Sequence, residues 1–302
     1  MSIDLNWPAT PGNRGRWPND HGTLNLLGAD TVLAAAGVIR HGRVVSCARA
    51  LDVTDPPYYP QAGSAAFVHE IIGAGPTAHA LGEISGASDQ FTVQTHGIAV
   101  THIDAFSHFG FRGRGFNDRP FEEMATLEDG AKIGAIDQVG PIITRGVLAD
   151  IPALSGRPYL ESGEPVTAEH LEAAASGIRP GDALVVRTGR WVTPPQVKEP
   201  GDKYGRLSGL DDGAMDWIES KDIALLATDG PGDNFPAVLA CCPRPVHVRC
   251  LTYLGIHLLH NLDLEDLSVT CSELNQTQFM FVVAPLRIPH GTGSPVTPVA
   301  IL

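Results

Sequence analysis

Basic residues are scarce in this chain: 21 Lys and Arg stand against 34 Asp and Glu, for a net charge of −13. Such a surface repels phosphate backbones and anionic bilayers, which excludes nucleic acid and membrane as main partners. Charged residues make up only 18% and hydrophobic ones 43%, the balance of a globular chain with much buried surface. The cysteines are few and odd in number: Cys47, Cys241, Cys242, Cys250 and Cys271, with no Cys-x-x-Cys pair. Reduced cytosolic thiols are expected, with a redox-active Cys241–Cys242 pair as the alternative. No stretch of about 18 apolar residues occurs, so no membrane span is expected. Residues Met1–Asn19 hold no basic segment followed by an apolar run, so no signal peptide is expected and the cytoplasm is the predicted location. Also missing are internal repeats, low-complexity tracts and a convincing linker. A Gly-x-Ser-x-Gly elbow is absent too, and Gly291-Thr292-Gly293-Ser294-Pro295 is not one, which sets aside a serine-triad hydrolase.

Histidine chemistry is what the chain does have. Thr95–His108 packs His96, His102, His108 and Asp104 into fourteen residues, in apolar or small surroundings. His102 and Asp104 are two apart and share one face of an extended backbone, offering adjacent ligands to a divalent metal. Fully extended, His96 and His108 would lie roughly 40 Å apart. The segment must therefore bend, and Gly97 and Gly110 are natural places. A second cluster, His247, His257 and His260, adds ligands that a lone His-x-Asp lacks. Helical spacing over Val246–His260 would put His257 and His260 on one face, with His247 at or before the helix start, next to Pro243 and Pro245.

Elsewhere, residues 1–20 read as an irregular arm whose Trp7 and Trp17 either pack on a neighbour or belong to a loose terminus. Asp30 is a predicted N-cap for a helix over Thr31–Arg40 that Gly42 stops, and Arg43–Ala48 a predicted strand. Asp52–Gly63 and Gly73–Gly86 read as loops, the first a pocket rim and the second carrying a surface His79. Phe91–Thr95 reads as a strand leading into the histidines. Arg112 and Arg114 either steady an anionic substrate group or are solvated loop charges. Thr167 caps a helix through Ala175, Asp211–Ser220 is a helix carrying Trp217, and Thr193–Gly209 is a flap. Asp182–Thr188, Ile223–Thr228 and Phe279–Leu286 are predicted buried strands. Helices and strands interspersed over 302 residues predict a single mixed α/β domain, 1–302.

Thr101-His102-Ile103-Asp104-Ala105-Phe106-Ser107-His108 resembles the signature of the metal-dependent cyclase family, which includes bacterial kynurenine formamidase and isatin hydrolase. Further blocks resemble its longer members: Gly22–Leu27, Gly181–Gly189, Leu254–Ile256 through Asn261–Leu264, and Gly291–Pro295 through Ala300. The similarity covers most of the chain. It implies a swivelling β/β/α-type fold with a mixed sheet, a homo-oligomer (dimer or tetramer) and a Zn or Mn centre. It also implies that His102, Asp104 and His247 are metal ligands, with Asp104 the bridge if two metals bind, and that His108 is the catalytic histidine. Two positions depart from the family pattern. Ile98 stands where the compact signature has a histidine, and His96 is the residue placed to replace it. His260 stands where the family has a glutamate ligand.

The implied activity is hydrolysis of an amide, lactam or ester bond of a small cyclic or aromatic substrate by metal-activated water, with His108 as general base and acid. Phe106, Phe109 and Trp17 are the predicted substrate-binding residues, in a setting that Ile98 and Val100 make apolar. A lyase, cyclase or dehydratase using the same site without water attack is the alternative. Ile98 and His260 motivate a third, a metal-free small-molecule binding protein.

Overall fold

Short apolar runs form the middle of the sheet. Ala183–Arg187 and Leu225–Thr228 are buried on both faces, as parallel strands covered on two sides must be. The computed structural model describes residues 8, 12–55, 65–75, 85–193, 206–237, 239 and 241–302. Its centre is a nine-stranded mixed sheet. Across the sheet the strands run Val44–Ser46, Val299–Ile301, Gln278–Val283, Ile142–Asp150, Ala183–Arg187, Leu225–Thr228, His257–His260, His102–Asp104 and Gly293–Pro295. The four from Ile142–Asp150 to His257–His260 are parallel to one another, and the rest pair antiparallel.

Each face carries its own core. Leu184, Val186, Leu226 and Leu258 pack with Leu171, Met215 and Ile218 from the helices Ala168–Ala175 and Asp212–Lys221. Val185, Leu225, Ala227 and Leu259 pack with Leu267 and Cys271 from the helix Glu265–Leu274. The expected Thr167 cap is present on the first face, and Asp211, expected as the first residue of its helix, is instead that helix's cap. The Thr167 hydroxyl accepts from His170 N, and the Asp211 carboxylate accepts from Ala214 N at 2.7 Å. Each such cap is worth about 1 kcal/mol.

Four other expectations change. The first helix is Ala29–Ala36, capped at Gly28, and Asp30 lies in its first turn. Thr31 Oγ1 reaches back to Gly28 N at 2.9 Å, so the capping residue sits inside the helix. Gly73–Gly86 is not a loop throughout. Phe67–Gly75 and Gly86–Val93 form a hairpin, and His79 lies outside the described residues. Val246–His260 is not one helix. Pro245–Val248 is α-helical, Arg249–Leu254 widens into a π-helix, and Gly255 in the left-handed conformation (φ 64°) ends it. His257–His260 then runs as a strand. His-Leu-Leu-His, buried on both sides, carries no period that separates helix from strand. The last central strand is Gln278–Val283, shorter than Phe279–Leu286 at its end.

Within the arm, Asn13 N donates to the Tyr253 carbonyl, and the Arg14 guanidinium lies 3.8 Å over the Tyr253 ring. The arm thus packs on its own chain's π-helix. Trp7 and most of the predicted flap lie outside the described residues. All five cysteines are free thiols, and among the described residues no helix is long and apolar enough to cross a membrane.

Candidate metal centre

Asp104 is the hub of the histidines. It is fully buried in the strand His102–Asp104. Antiparallel pairing sets His102 opposite His260, so both rings rise from one face, 5.4 Å apart. Gly97 has φ 133°, closed to residues with a Cβ, and the turn it makes returns the chain so that His96 meets the same carboxylate. His96 Nδ1 is 2.9 Å from Asp104 Oδ1, and its Nε2 meets Thr292 Oγ1 at 3.0 Å. His102 Nε2 lies 3.3 Å from Oδ1, while its Nδ1 donates to the Val100 carbonyl. Around Oδ2 stand His260 Nε2 at 3.2 Å and His247 Nε2 at 3.8 Å.

Two of these atoms have no hydrogen bond: Asp104 Oδ2 and His260 Nε2, both buried. Orphaned polar atoms are costly unless something else fills the place. A carboxylate oxygen and an imidazole nitrogen facing one another are both ligand atoms of a divalent metal. His96, His102 and Asp104 have ligand atoms close enough to share one ion, as do Asp104, His108 and His247. The residues present fit a divalent metal, and His96 meets the Asp104 carboxylate from two residues before Ile98.

His247 owes its direction to Asp233. One Asp233 oxygen accepts from Val246 N at 2.7 Å and the other pairs with His247 Nδ1, leaving His247 Nε2 for Asp104. Carboxylates that hold the far nitrogen of a metal-binding histidine typically govern affinity by 10–100-fold, so Asp233→Asn should weaken metal binding by about that factor. A metal titration with unchanged affinity would refute this role. Gly232 makes the approach possible, because a Cβ there would stand 3.0 Å from His260 Cε1.

Asn261 pins the loop between His96 and His102. Its Nδ2 donates to the Gly97 and Val100 carbonyls, both at 2.9 Å. Arg190 donates to Asn261 Oδ1 and to the Ile98 carbonyl, each at 2.7 Å. Burial pulls the Arg190 guanidinium down to about 10, against the opposing pull of Asp229. Asp229 in turn accepts from the backbone N–H groups of Thr188 and Gly189 at 2.8 Å each. Asp233, Asn261, Arg190, Asp229 and Thr292 were not singled out from the sequence. The one local signal is Asp229-Gly230-Pro231-Gly232-Asp233, a turn at the carboxyl end of a parallel strand, where ligand sites in α/β sheets gather.

His108 ends a single 3-10 turn, Phe106–His108, and its ring stacks flat on His96 with centroids 3.6 Å apart. A cavity of about 70 Å³ opens beside it, lined by His96, Gly97, Ile98, His102, His108, Phe109, Pro231, Arg244, His247 and His260. The predicted substrate residues separate here. Phe109 lines the cavity, 5.1 Å from the His247 ring. Phe106 does not: the turn rotates it into the core, where it stacks on His257 at 4.1 Å and meets the tilted Phe116 ring at 4.8 Å. Trp17 does not line it either, and lies under Arg16, which pairs with Asp222 at the end of the helix Asp212–Lys221. Arg112 and Arg114 are exposed on a tight turn outside the cavity, the solvated alternative. His257 also leaves the cluster, and its Nδ1 donates to the Asp104 carbonyl at 2.9 Å.

Burial would raise the Asp104 carboxyl, but His108 and His102 beside it win and hold it well below the usual range. Burial pushes His108 well below its ordinary value, against Asp104, so its ring is neutral at neutral pH. Burial likewise brings His257 and His260 down to about 4, again against Asp104. A histidine that stays neutral when folded but protonates near 6.5 when unfolded binds more protons unfolded. The stability it contributes is present above pH 6.5 and lost as pH falls toward 4. The loss is at most about 3 kcal/mol for each of the two. Metal-free protein should therefore show a falling urea midpoint between pH 6.5 and 4, while a flat midpoint would contradict these burial effects. Asp104 protonates below that window and does not offset the loss.

The Cyclase family model, described as "Putative cyclase", matches residues 3–233. A solved structure described as a novel cyclase is 26% identical with TM-score 0.84, covering 97% of this chain and 100% of its own. Isatin hydrolase A from Labrenzia aggregata, bound to benzyl benzoate, is 21% identical with TM-score 0.61, covering 90% of this chain and 97% of its own. A "predicted metal-dependent hydrolase" from Bacillus stearothermophilus is 16% identical with TM-score 0.51, covering 85% of this chain and 97% of its own. No curated protein matches the chain.

Proposed function

This chain belongs to the cyclase family, and from that premise we propose that it is a metal-dependent hydrolase using Zn or Mn. Its substrate is a small cyclic or aromatic molecule, cleaved at an amide, lactam or ester bond. The observation that carries the reading is the pair of orphaned ligand atoms, Asp104 Oδ2 and His260 Nε2, at the centre of five converging side chains. His96, His102, Asp104, His247 and His260 would hold the metal. When bound, a divalent cation supplies a Lewis acid that polarises the carbonyl and acidifies a water. The neutral His108 ring takes a proton from the attacking water and returns it to the leaving nitrogen or oxygen. Stacking on His96 fixes the plane of that ring. Phe109, Ile98 and Pro231 supply the apolar wall against which a ring substrate rests.

The exposed Ile71, Ile72 and Phe91 of the hairpin support a homo-oligomer, a dimer or tetramer, that light scattering would size. The test of the activity has two parts. Protein purified without added metal or chelator should carry Zn or Mn near one or two per chain. Turnover of amides, lactams and esters in ¹⁸O-water should place label in the product carboxylate. Turnover without label would convert the reading to a lyase or cyclase. Failure to take up metal would leave a binding protein.

A further inference from the structure

We propose that the backbone N–H of Ile98 is an oxyanion donor of this cavity, giving its hydrogen bond to the substrate's carbonyl oxygen as that oxygen becomes negative. The proposal rests on the hydrolase reading for the reaction, but the anion contact itself needs no turnover. The direction of the N–H follows from where the loop's carbonyls go. The Gly97 and Val100 carbonyls accept from Asn261 Nδ2 at 2.9 Å each, and the Ile98 carbonyl accepts from Arg190 Nη2 at 2.7 Å. The Ala99 carbonyl accepts from Arg49 Nη1 at 3.4 Å, and Arg49 shares the Trp191 ring with Arg190. The peptide bonds of this loop are trans, so each N–H points opposite to the carbonyl of the residue before it. The N–H groups of Ile98 and Ala99 therefore turn away from Asn261 and Arg190. Neither of those two lines the cavity, whereas Gly97 and Ile98 both do. Successive N–H groups on one side of a turn make an anion-binding concavity. Among the described residues no acceptor meets either N–H, and Ala99 is buried, where a lone N–H is costly.

The groups behind the loop strengthen this donor. Arg190 Nη1 donates to Asn261 Oδ1 at 2.7 Å, and the same amide donates from Nδ2 to the Gly97 carbonyl. Amides joined in this way polarise one another, so the guanidinium charge acts along the chain. The Gly97–Ile98 peptide is its last member, and the Ile98 N–H its end. Arg190 and Asn261 are thus positioning residues. Consecutive Cα atoms are about 3.8 Å apart, so Ile98 stands no more than two such steps from His96, on which His108 stacks. In the reaction, the water oxygen bonds to the carbonyl carbon, His108 takes the water's proton, and the π pair moves to the carbonyl oxygen. Ile98 N–H donates to that oxygen. When the pair returns, the C–N or C–O bond breaks and the leaving atom takes the proton from His108. A donor already fixed in place costs no reorganisation as the charge appears.

The test is a titration of phenylphosphonate, a tetrahedral oxyanion, into ¹⁵N-labelled, Zn-loaded protein. The Ile98 amide proton should move downfield and saturate. Ile98→Val keeps the N–H, so it identifies the resonance and should show the same shift. Replacing Ile98 with its α-hydroxy acid removes the N–H alone, and affinity for phenylphosphonate should fall about tenfold or more, the scale of one hydrogen bond to a charged group. For any ester or amide that is turned over, kcat should fall by about 10²–10³-fold in that variant, with KM and metal content little changed. In Arg190→Lys, which keeps the charge without the fork, the downfield shift should shrink at unchanged metal content, which a purely structural role would not cause. An Ile98 amide that phenylphosphonate leaves unmoved, whether or not the probe binds elsewhere, overturns the proposal. So does an α-hydroxy acid variant that binds as tightly as wild type. If that variant fails to fold, the shift in wild type and Ile98→Val decides. A shift in protein that takes up no metal or hydrolyses nothing upholds the anion site while removing the hydrolase reading.

Discussion

Asp104→Asn should bind divalent metal more than about a hundredfold more weakly than the parent and lose turnover with it. The physical reason is that Asp104 is the carboxylate on which four imidazoles converge. His96, His102, His247 and His260 approach its two oxygens between 2.9 and 3.8 Å. Its carboxyl is held well below the usual range by His108 and His102 despite burial, so it stays ionised throughout the working pH range. An amide of the same shape keeps the packing but removes the charge. It also sets an NH₂ against histidine nitrogens that face an oxygen in the parent. The effect should exceed the 10–100-fold expected of Asp233, which reaches a metal only through His247. Elemental analysis after dialysis gives the answer. Metal retained by Asp104→Asn would mean that the hub is structural and that any ion sits elsewhere.

His108→Ala should leave metal content unchanged and lower kcat by about 10²–10⁴-fold, the usual worth of a positioned proton-transfer group. His108 lines the cavity, and its closest ring contact is a face-to-face stack on His96. Because burial lowers its pKa well below 6.5, the parent holds the base form at neutral pH. Activity should therefore fall only on the acid side, as the ring protonates. In the variant the rate at neutral pH is low and that acid limb disappears. If His108→Ala turned over at the parental rate with its metal in place, the proton would have to move through another group, and His96 is the nearest candidate.

Much of this was legible in the sequence, for reasons that differ by region. Ala183–Arg187 and Leu225–Thr228 read as strands because short apolar runs, the first between Gly181 and Gly189 and the second ending in Asp229-Gly230, have little else to become. His96, His102, Asp104, His108, His247 and His260 could be listed as chemistry before any fold was known, since few other roles need so many imidazoles near one carboxylate. What failed was direction. His257 looked like a partner of His260 on a helix, but Gly255 breaks the helix and the strand that follows sends His257 to Phe106. Phe106 sits two residues from His108, and one 3-10 turn places it in the core. Asp233 and Asn261 were invisible for a different reason. Their work is to hold other residues, through bonds that exist only once Gly232 and Gly97 have turned the chain.

The ligand atoms come from places far apart along the chain: residues 96 to 104, then 247, then 260. A cation clasping them ties together segments separated by some 140 residues, and so acts as a reversible crosslink as well as a reagent. Loops that long are entropically expensive to close, and a crosslink absent from the unfolded chain favours the folded one by mass action. Each tenfold rise in free metal above its dissociation constant then adds about 1.4 kcal/mol to folding. The same few atoms that set the chemistry would thus make the melting temperature a gauge of metal supply.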